Sequence, residues 1–259
     1  MLEYLEITTK VGCPIGCLKY CPQDVLVKNY VSPERVLNLK NFEKAVSTVP
    51  RSVEICFSGF CEPFANPDAV RMVEHAYARG HPVSVFTTLY NLSLGDVDAL
   101  VKVPFEKFCL HLPDGKYAHI PVSPAYMLNV FTVLQNVRNV GFSCMNGLFA
   151  SNQREDFVRG RNLKRHPIGY CYKRRYPEFV LMPNGDVQLC CMDFGLKHKV
   201  GNLLHEDYSA IRKRFLNGSK KYALCSYCNY DSGRFLLKRI AYATRLINLE
   251  KMLRSFGGS

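Results

Sequence analysis

Apolar and polar positions follow two different periods along the first 150 residues. Short apolar or alternating runs, typical of strands, are separated by stretches whose apolar residues recur at helical spacing. The strand-like runs are residues 4–8, 53–57, 83–87, 108–111 and 140–144. The helix-like stretches are residues 33–48, 67–80, 94–101 and 123–135. This alternation predicts an α/β fold with a parallel sheet. Its regularity favours a partial (β/α) barrel, or a full one, over an open doubly wound sheet.

The pattern changes after residue 150. Residues 151–164 are polar and have no clear period, so we place a domain boundary near them. Beyond it, residues 179–191 contain two strand-like runs joined at Asn184-Gly185, the favoured pair for a tight hairpin turn. Helices are predicted over residues 207–217 and 234–256. We therefore expect residues 1–150 to form the barrel and residues 151–259 to form a small α+β domain.

Composition and charge limit the function without identifying it. The chain has 259 residues, 47% hydrophobic and 22% charged, which suits a globular protein with a large core. Nowhere do about 18 uncharged apolar residues run together, so we expect a cytoplasmic protein that does not bind a membrane. The net charge of +12 fits a nucleic-acid binder, but equally an acidic redox partner or a phosphorylated substrate. Twelve cysteines in a reducing compartment indicate metal or redox chemistry instead of a disulfide framework.

The loop after the first predicted strand carries three cysteines and no fourth. Its sequence is GCPIGCLKYCP, which contains Cys13, Cys17 and Cys21. Structural zinc takes four ligands, and neither a fourth cysteine nor a histidine lies nearby in this loop. A [4Fe–4S] cluster is normally held by four thiolates, so three would leave one iron open for another molecule. The loop also lies where barrels place their active sites, at the carboxyl end of a strand. We therefore predict a cluster with an open iron.

The cysteine triplet, with Tyr20 before its last cysteine and Pro22 after it, resembles the motif of the radical S-adenosylmethionine enzymes. The family's usual spacing is CxxxCxxC, whereas this chain has CxxxCxxxC, with one more residue between Cys17 and Cys21. The resemblance implies that S-adenosylmethionine binds the open iron. It also implies reductive cleavage to methionine and a 5′-deoxyadenosyl radical, which abstracts a hydrogen atom from the substrate.

Two further stretches resemble the same family. Residues 58–63, SGFCEP, look like its glycine-rich motif ending in Glu-Pro, which receives the amino group of the methionine portion. The loop after the third strand lies where the family places ribose-contacting groups. The residues that the resemblance assigns to the cofactor are Tyr20, Ser58, Gly59, Phe60, Cys61, Glu62, Pro63, Thr87, Thr88 and Asn91. Cys61 stands where the motif commonly has glycine. We interpret it as a tolerated small residue, with a second reactive thiol as the alternative.

The C-terminal cysteines resemble those of the Twitch domain, the shortened form of the family's SPASM extension. The resemblance implies one auxiliary [4Fe–4S] cluster, so the protein would hold two such clusters in all. Its ligands would be Cys171, Cys190, Cys225 and Cys228. Cys191 competes with Cys190, but neighbours in a strand face opposite sides, and the spacing from Gly185 favours Cys190. A zinc ribbon on the same four cysteines is the alternative.

The chain length and the single auxiliary cluster resemble the Twitch dehydrogenases that oxidise a hydroxyl of a sugar or aminocyclitol. Arg154 is a candidate for contacting the substrate or taking its proton, with a solvated loop charge as the alternative. Cys144 is a candidate hydrogen-atom donor. An acidic electron donor such as flavodoxin or ferredoxin is the expected partner, and nucleic acid is not. The alternatives are a peptide-modifying enzyme, an epimerase and a non-enzymatic metal protein that binds RNA.

Overall fold

The computed structural model describes residues 3–17, 21–113, 120–144, 176–217, 222 and 224. The strands in these ranges are β1 (Tyr4–Ile7), β2 (Glu54–Phe57), β3 (Val83–Thr87), β4 (Lys107–Leu112), β5 (Val140–Cys144), β6 (Glu178–Leu181), β7 (Asp186–Gln188) and β8 (Lys199–Asn202). The helices are α1 (Gln23–Asn29), α2 (Leu39–Val46), α3 (Ala69–Ala78), α4 (Leu94–Leu100), α5 (Pro124–Asn136) and α6 (Tyr208–Asn217), with a short 3₁₀ turn at Pro63–Ala65.

The described strands form one sheet in the order β5-β4-β3-β2-β1-β6-β7-β8. Strands β1 to β6 run parallel, whereas β7 is antiparallel to β6 and β8 is antiparallel to β7. In the middle of the sheet, Leu5 of β1 pairs with Ile55 of β2 on one side and with Phe179 of β6 on the other. Within the described residues, β5 and β8 are the two edges and the sheet does not close. The predicted α/β fold with a partial barrel is therefore confirmed.

Alternate residues of the strands face the helices and form the main core. The fully buried ones on β1 and β2 are Leu5, Ile7, Ile55 and Phe57. They belong to one apolar cluster with Phe42 of α2, whose ring centroid lies 5.8 Å from that of Phe57. Because successive strand residues point to opposite faces, Glu6 and Glu54 lie on the face of the sheet that is opposite to the helices, which we call the inner face. That inner face therefore carries polar groups.

A capping side chain fixes the beginning of α2. The side-chain oxygen of Asn38 accepts a hydrogen bond from the N–H of Asn41 at 2.8 Å. This N–H lies in the first turn of the helix and has no backbone acceptor within it. The helix predicted over residues 33–48 is therefore too long. The chain before Asn38 is not helical, and Val36 forms an isolated bridge with Lys10. None of the helices in the described ranges has the length and apolar character needed to cross a membrane.

Two elements were missing from the sequence-based prediction. Helix α1 buries only Leu26 among its seven residues, so it has no apolar stripe to recognise. Strand β8 is four residues long and is mostly not buried. By contrast, β3 and β5 have the predicted bounds, and Asn184-Gly185 lies in the turn between β6 and β7 as predicted. Gly185 has φ of +82° there, which matches the preference of this turn for glycine.

Candidate functional site

The loop after β2 lies directly on the end of β1. Gly59 has φ of +44°, a left-handed conformation that favours glycine. A Cβ at this position would lie 2.5 Å from Thr8 Oγ1 and 2.7 Å from the carbonyl oxygen of Ile7. The next residue, Phe60, donates its N–H to Thr8 Oγ1 at 3.1 Å. Glycine is therefore required for this close contact between residues 58–63, which we call the glycine motif, and the strand that leads into the cysteine loop.

Glu62 joins the glycine motif to the end of β3. Its side chain is buried, and its carboxylate accepts hydrogen bonds from four donors. These donors are the hydroxyl of Thr87 at 2.5 Å, the N–H and the hydroxyl of Thr88, both at 2.8 Å, and the N–H of Phe64 at 3.3 Å. Burial raises the pKa of Glu62, and the hydrogen bonds oppose that rise. Glu62, Thr87 and Thr88 therefore hold the loops after β2 and β3 together.

Cys13, Cys17 and Cys21 lie on the loop that follows β1, whereas Tyr20 lies outside the described residues. The N–H of Cys21 donates to the carbonyl oxygen of Cys17 at 3.1 Å, so a backbone hydrogen bond joins the second and third cysteines. Cys17 is buried, and the other two cysteines are partly buried against the main core.

Cys13 contacts the glycine motif directly. Its sulfur accepts the N–H of Glu62 at 3.4 Å, and it lies beside the thiol of Cys61, which donates to the carbonyl oxygen of Glu62 at 3.1 Å. The interaction between the two thiols lowers the pKa of Cys13 and raises the pKa of Cys61. A fourth thiol of this region therefore comes from the position where the family's motif commonly has glycine.

The donor chemistry of the cysteine loop fits an iron–sulfur cluster. In the ranges that the structure describes, no three His, Cys, Asp or Glu side chains are grouped so as to hold a single metal ion. The thiolates of a [4Fe–4S] cluster bind different irons, so they do not need to converge on one point. The loop after β1 provides three cysteine sulfurs, which are suitable ligands for such a cluster. They lie beside the close contact between Gly59 and the end of β1.

Gln23, the first residue of α1, was not identified from the sequence. Its side-chain oxygen accepts the N–H of Cys13 at 3.2 Å. Its side-chain nitrogen donates to Cys21 Sγ at 3.4 Å and to the carbonyl oxygen of Phe60 at 2.5 Å. Gln23 therefore links two cysteines to the glycine motif. A glutamine in a short helix is not part of any recognised motif, and only its closeness to Cys21 in the sequence could have indicated it.

A polar pair lies under the glycine motif on the inner face of the sheet. Ser58 donates its hydroxyl to Glu6 of β1 at 3.1 Å, and the thiol of Cys56 lies 3.6 Å from the Ser58 hydroxyl. Glu6 was not among the predicted site residues. The alternation in the first strand could have indicated it, because Leu5 and Ile7 on either side face the core.

Cys190 and Cys191 do not lie in a strand, because β7 ends at Gln188. The prediction that a strand extends through Cys191 is wrong, so the argument from alternating faces does not apply to this pair. Their packing distinguishes them instead. Cys190 packs in the small apolar cluster that contains Leu224, whereas Cys191 also packs against the cluster that Cys21 contacts.

The remaining predicted residues are placed as follows. Pro63 is buried, and its carbonyl oxygen accepts the hydroxyl of Thr9 at 2.7 Å. Asn91 is exposed in a left-handed turn with φ of +58°. Cys144 is the last residue of β5. In addition to Tyr20, the predicted residues outside the described ranges are Arg154, Cys171, Cys225 and Cys228.

Comparison with known proteins identifies the fold. No family model matches the chain, and no curated protein matches it. The crystal structure of BtrN in complex with AdoMet and 2-DOIA has a TM-score of 0.64 at 18% identity, covering 88% of this chain and 93% of that chain. Native anSMEcpe with bound AdoMet has a TM-score of 0.53 at 13% identity, and the match covers 88% of this chain and 86% of that chain. Streptococcus suis SuiB bound to precursor peptide SuiA has a TM-score of 0.53 at 11% identity, covering 89% and 70%. The chain thus shares its fold with these proteins, two of which hold AdoMet in the structures compared.

Proposed function

We propose that this protein is a radical S-adenosylmethionine enzyme. In this proposal, Cys13, Cys17 and Cys21 hold a [4Fe–4S] cluster with an open iron, which binds S-adenosylmethionine. The observation that carries the proposal is the contact between the cysteine loop and the glycine motif at the carboxyl ends of the parallel strands. The fold shared with two AdoMet-bound structures supports it. When bound, the cluster held by these three cysteines would supply the electron for reductive cleavage of S-adenosylmethionine.

The loops around the cysteines have distinct roles in this proposal. Gly59 lets the backbone of the glycine motif approach closely, and backbone carbonyl groups suit the ammonium of the methionine portion. The carboxylate of Glu62 is already engaged by Thr87 and Thr88, so we assign it to holding the two loops in place. We assign recognition of the amino group to the backbone of the motif, and contact with the ribose to the exposed Asn91.

We also propose an auxiliary [4Fe–4S] cluster in a Twitch-like region within residues 151–259. Its ligands would be Cys171, Cys190, Cys225 and Cys228. The apolar cluster against which both Cys190 and Cys191 pack contains Leu224, which directly precedes Cys225 in the sequence, and this supports a ligand set that combines one residue of the pair with Cys225. Four cysteine ligands would leave this cluster closed, which suits electron transfer instead of substrate binding.

For the reaction, we propose oxidation of a hydroxyl of a sugar or aminocyclitol. Loss of a hydrogen atom, followed by loss of one proton and one electron, converts an alcohol into a ketone. The polar pair of Glu6 and Ser58 on the inner face supports a substrate that carries hydroxyl or amino groups. Arg154 remains our candidate for taking the proton. The net charge of +12 supports an acidic protein, such as flavodoxin or ferredoxin, as the electron donor. We propose that the reaction takes place in the cytoplasm.

A peptide substrate is the second candidate. The observation that favours it is the fold shared with SuiB bound to a precursor peptide. We prefer the first candidate because the structure with 2-DOIA has the higher TM-score, 0.64 against 0.53, and the larger covered share of its own chain.

The proposed radical chemistry is tested by anaerobic reconstitution with iron and sulfide, reduction, and detection of 5′-deoxyadenosine by mass spectrometry. We expect the wild type to form it and Cys17→Ala not to form it. Cys109→Ala is the matched control, because it removes a buried thiol from β4, outside the cysteine loop. Equal formation by Cys17→Ala and the wild type would rule out the cluster assignment.

The substrate class is tested in the same reaction mixture. Aminocyclitols, sugars and short peptides are added in parallel, and the products are examined for a mass lower by two hydrogens. A product of that mass from a cyclitol or sugar supports the first candidate. A modified peptide, with cyclitols and sugars unchanged, supports the second.

A further inference from the structure

We propose that Gln23 is a positioning residue for the cluster held by Cys13, Cys17 and Cys21, and that it raises the reduction potential of that cluster. The proposal rests on the proposed function, and it concerns a residue to which the family resemblance assigns no role. It follows from three hydrogen bonds that one side-chain amide makes with the cysteine loop and the glycine motif.

Two backbone groups fix the orientation of the Gln23 amide. The N–H of Cys13 can only donate, so the oxygen of the amide must face it. The carbonyl of Phe60 can only accept, so the nitrogen of the amide must face it. The flipped amide would place oxygen against oxygen and N–H against N–H. The nitrogen therefore lies beside Cys21, where its second proton is donated to Sγ at 3.4 Å.

A hydrogen bond to a ligand sulfur favours the reduced state of a cluster. Reduction adds negative charge that is shared by the sulfurs, and an N–H donor stabilises that charge. Hydrogen bonds to the sulfurs are among the features that set the potential of iron–sulfur clusters. The site is partly buried, so the local dielectric is lower than that of water and the effect is larger than it would be at the surface.

The same amide fixes the longer cysteine loop to the glycine motif. Phe60 is held on two sides, since its carbonyl accepts from Gln23 and its N–H donates to Thr8 at 3.1 Å. Cys13 is held on two sides as well, since its N–H donates to Gln23 and its sulfur accepts the N–H of Glu62. Gln23 therefore connects the first and third cysteines of the longer CxxxCxxxC loop to the glycine motif.

Two substitutions test the proposal in the full-length reconstituted protein. Gln23→Met keeps the length of the side chain and removes all three hydrogen bonds. Gln23→Glu keeps an acceptor for the N–H of Cys13 and removes both N–H donors. Gln135→Met, on the exposed surface of α5, is the matched control. The midpoint potential of the open cluster is measured by redox titration with detection by electron paramagnetic resonance. The dissociation constant of S-adenosylmethionine is measured by equilibrium dialysis.

We expect a more negative midpoint potential in both Gln23 variants and the wild-type potential in Gln135→Met. We also expect the dissociation constant to rise about three- to tenfold in Gln23→Met, the effect of about one positioned hydrogen bond. The spectroscopic signal comes only from protein that carries the cluster, so incomplete loading does not obscure the potential. Wild-type potentials in both Gln23 variants would overturn the proposal. If the wild type itself neither carries an open cluster nor cleaves S-adenosylmethionine, the proposed function fails instead.

Discussion

Replacing Gly59 with alanine tests the contact on which the proposed cofactor site depends. The φ of +44° costs a residue with a Cβ about 1–2 kcal/mol. The Cβ would also lie 2.5 Å from Thr8 Oγ1 and 2.7 Å from both the Ile7 carbonyl oxygen and the Thr8 nitrogen, so the loop must move away from β1. That movement breaks the hydrogen bond from Phe60 to Thr8, which contributes about 1 kcal/mol. Together these costs come to about 2–3 kcal/mol.

We expect this cost to appear first in cofactor binding, because it falls on the loop to which the proposed function assigns the cofactor. A loss of about 2–3 kcal/mol corresponds to a rise of about 30- to 150-fold in the dissociation constant of S-adenosylmethionine. Equilibrium dialysis of anaerobically reconstituted protein measures that constant. Any part of the cost that reaches global stability lowers the melting temperature by about 2–4 °C for each kcal/mol.

Gly95→Ala in α4 is the matched control for this substitution. The nearest atom to a Cβ at position 95 is Ser93 Oγ at 3.8 Å, which is an ordinary contact. Alanine is also favoured over glycine in a helix by about 0.5–1 kcal/mol. We expect unchanged cofactor binding and a slightly higher melting temperature. If Gly59→Ala also kept its affinity and its melting temperature, the steric argument for the glycine motif would be refuted.

A buried carboxyl, an ion pair and a thiol give three further tests. Burial raises the pKa of Glu54, so its contribution to stability is present at acidic pH and is lost as the pH rises through the raised value. Glu54→Gln should therefore narrow the difference in melting temperature between about pH 5 and about pH 8. Arg212→Met removes three hydrogen bonds, at 2.5, 2.7 and 2.9 Å, from the guanidinium to Glu3, and should lower the free energy of unfolding in urea by about 1 kcal/mol. Cys61→Gly should abolish a disulfide with Cys13 that we expect in cluster-free protein isolated in air, detected by non-reducing peptide mass mapping.

Each of these tests has a control on the same chain. Glu74→Gln on the exposed side of α3 should leave the pH dependence unchanged, and an equal narrowing there would contradict the assignment to Glu54. Lys213→Met lies beside Arg212 and is exposed, so a loss of stability equal to that of Arg212→Met would count against the ion pair. Cys109→Ala should retain the disulfide, and finding no disulfide in the wild type would contradict the contact between the two thiols.

The strands of the barrel could be predicted where the sequence marks their ends. Strand β3 lies directly after Pro82, and β5 is a short run after Asn139, so their bounds follow from local pattern. Helix α1 could not be predicted in this way because it buries one residue. The pairing of β6 with β1 could not be predicted either, because hydrophobic periodicity does not state which distant strands are neighbours.

In the candidate site too, some residues could be predicted from the sequence, whereas the contacts between loops could not. Motif and spacing predict a role for the three cysteines and Gly59, because these residues follow strand ends that the hydrophobic pattern locates. The sequence could not show that the hydroxyls of Thr87 and Thr88 are donated to Glu62, since that contact depends on how two loops meet in space. The contacts of Gln23 were missed for the same reason.

The position of β1 between β2 and β6 has a consequence for the order of folding. Tyr4 pairs with Glu178, and the N–H of Thr8 donates to the carbonyl of Leu181 at 2.9 Å, so one edge of the first strand is completed by residues more than half the chain away. Such distant pairings carry a cost in loop-closure entropy and form slowly. During synthesis, β1 can therefore pair with β6 only after β6 has left the ribosome. If the proposed cluster were inserted before that point, β1, which leads into the cysteine loop, would still be unpaired on one side. We therefore expect cluster insertion after the translation of β6.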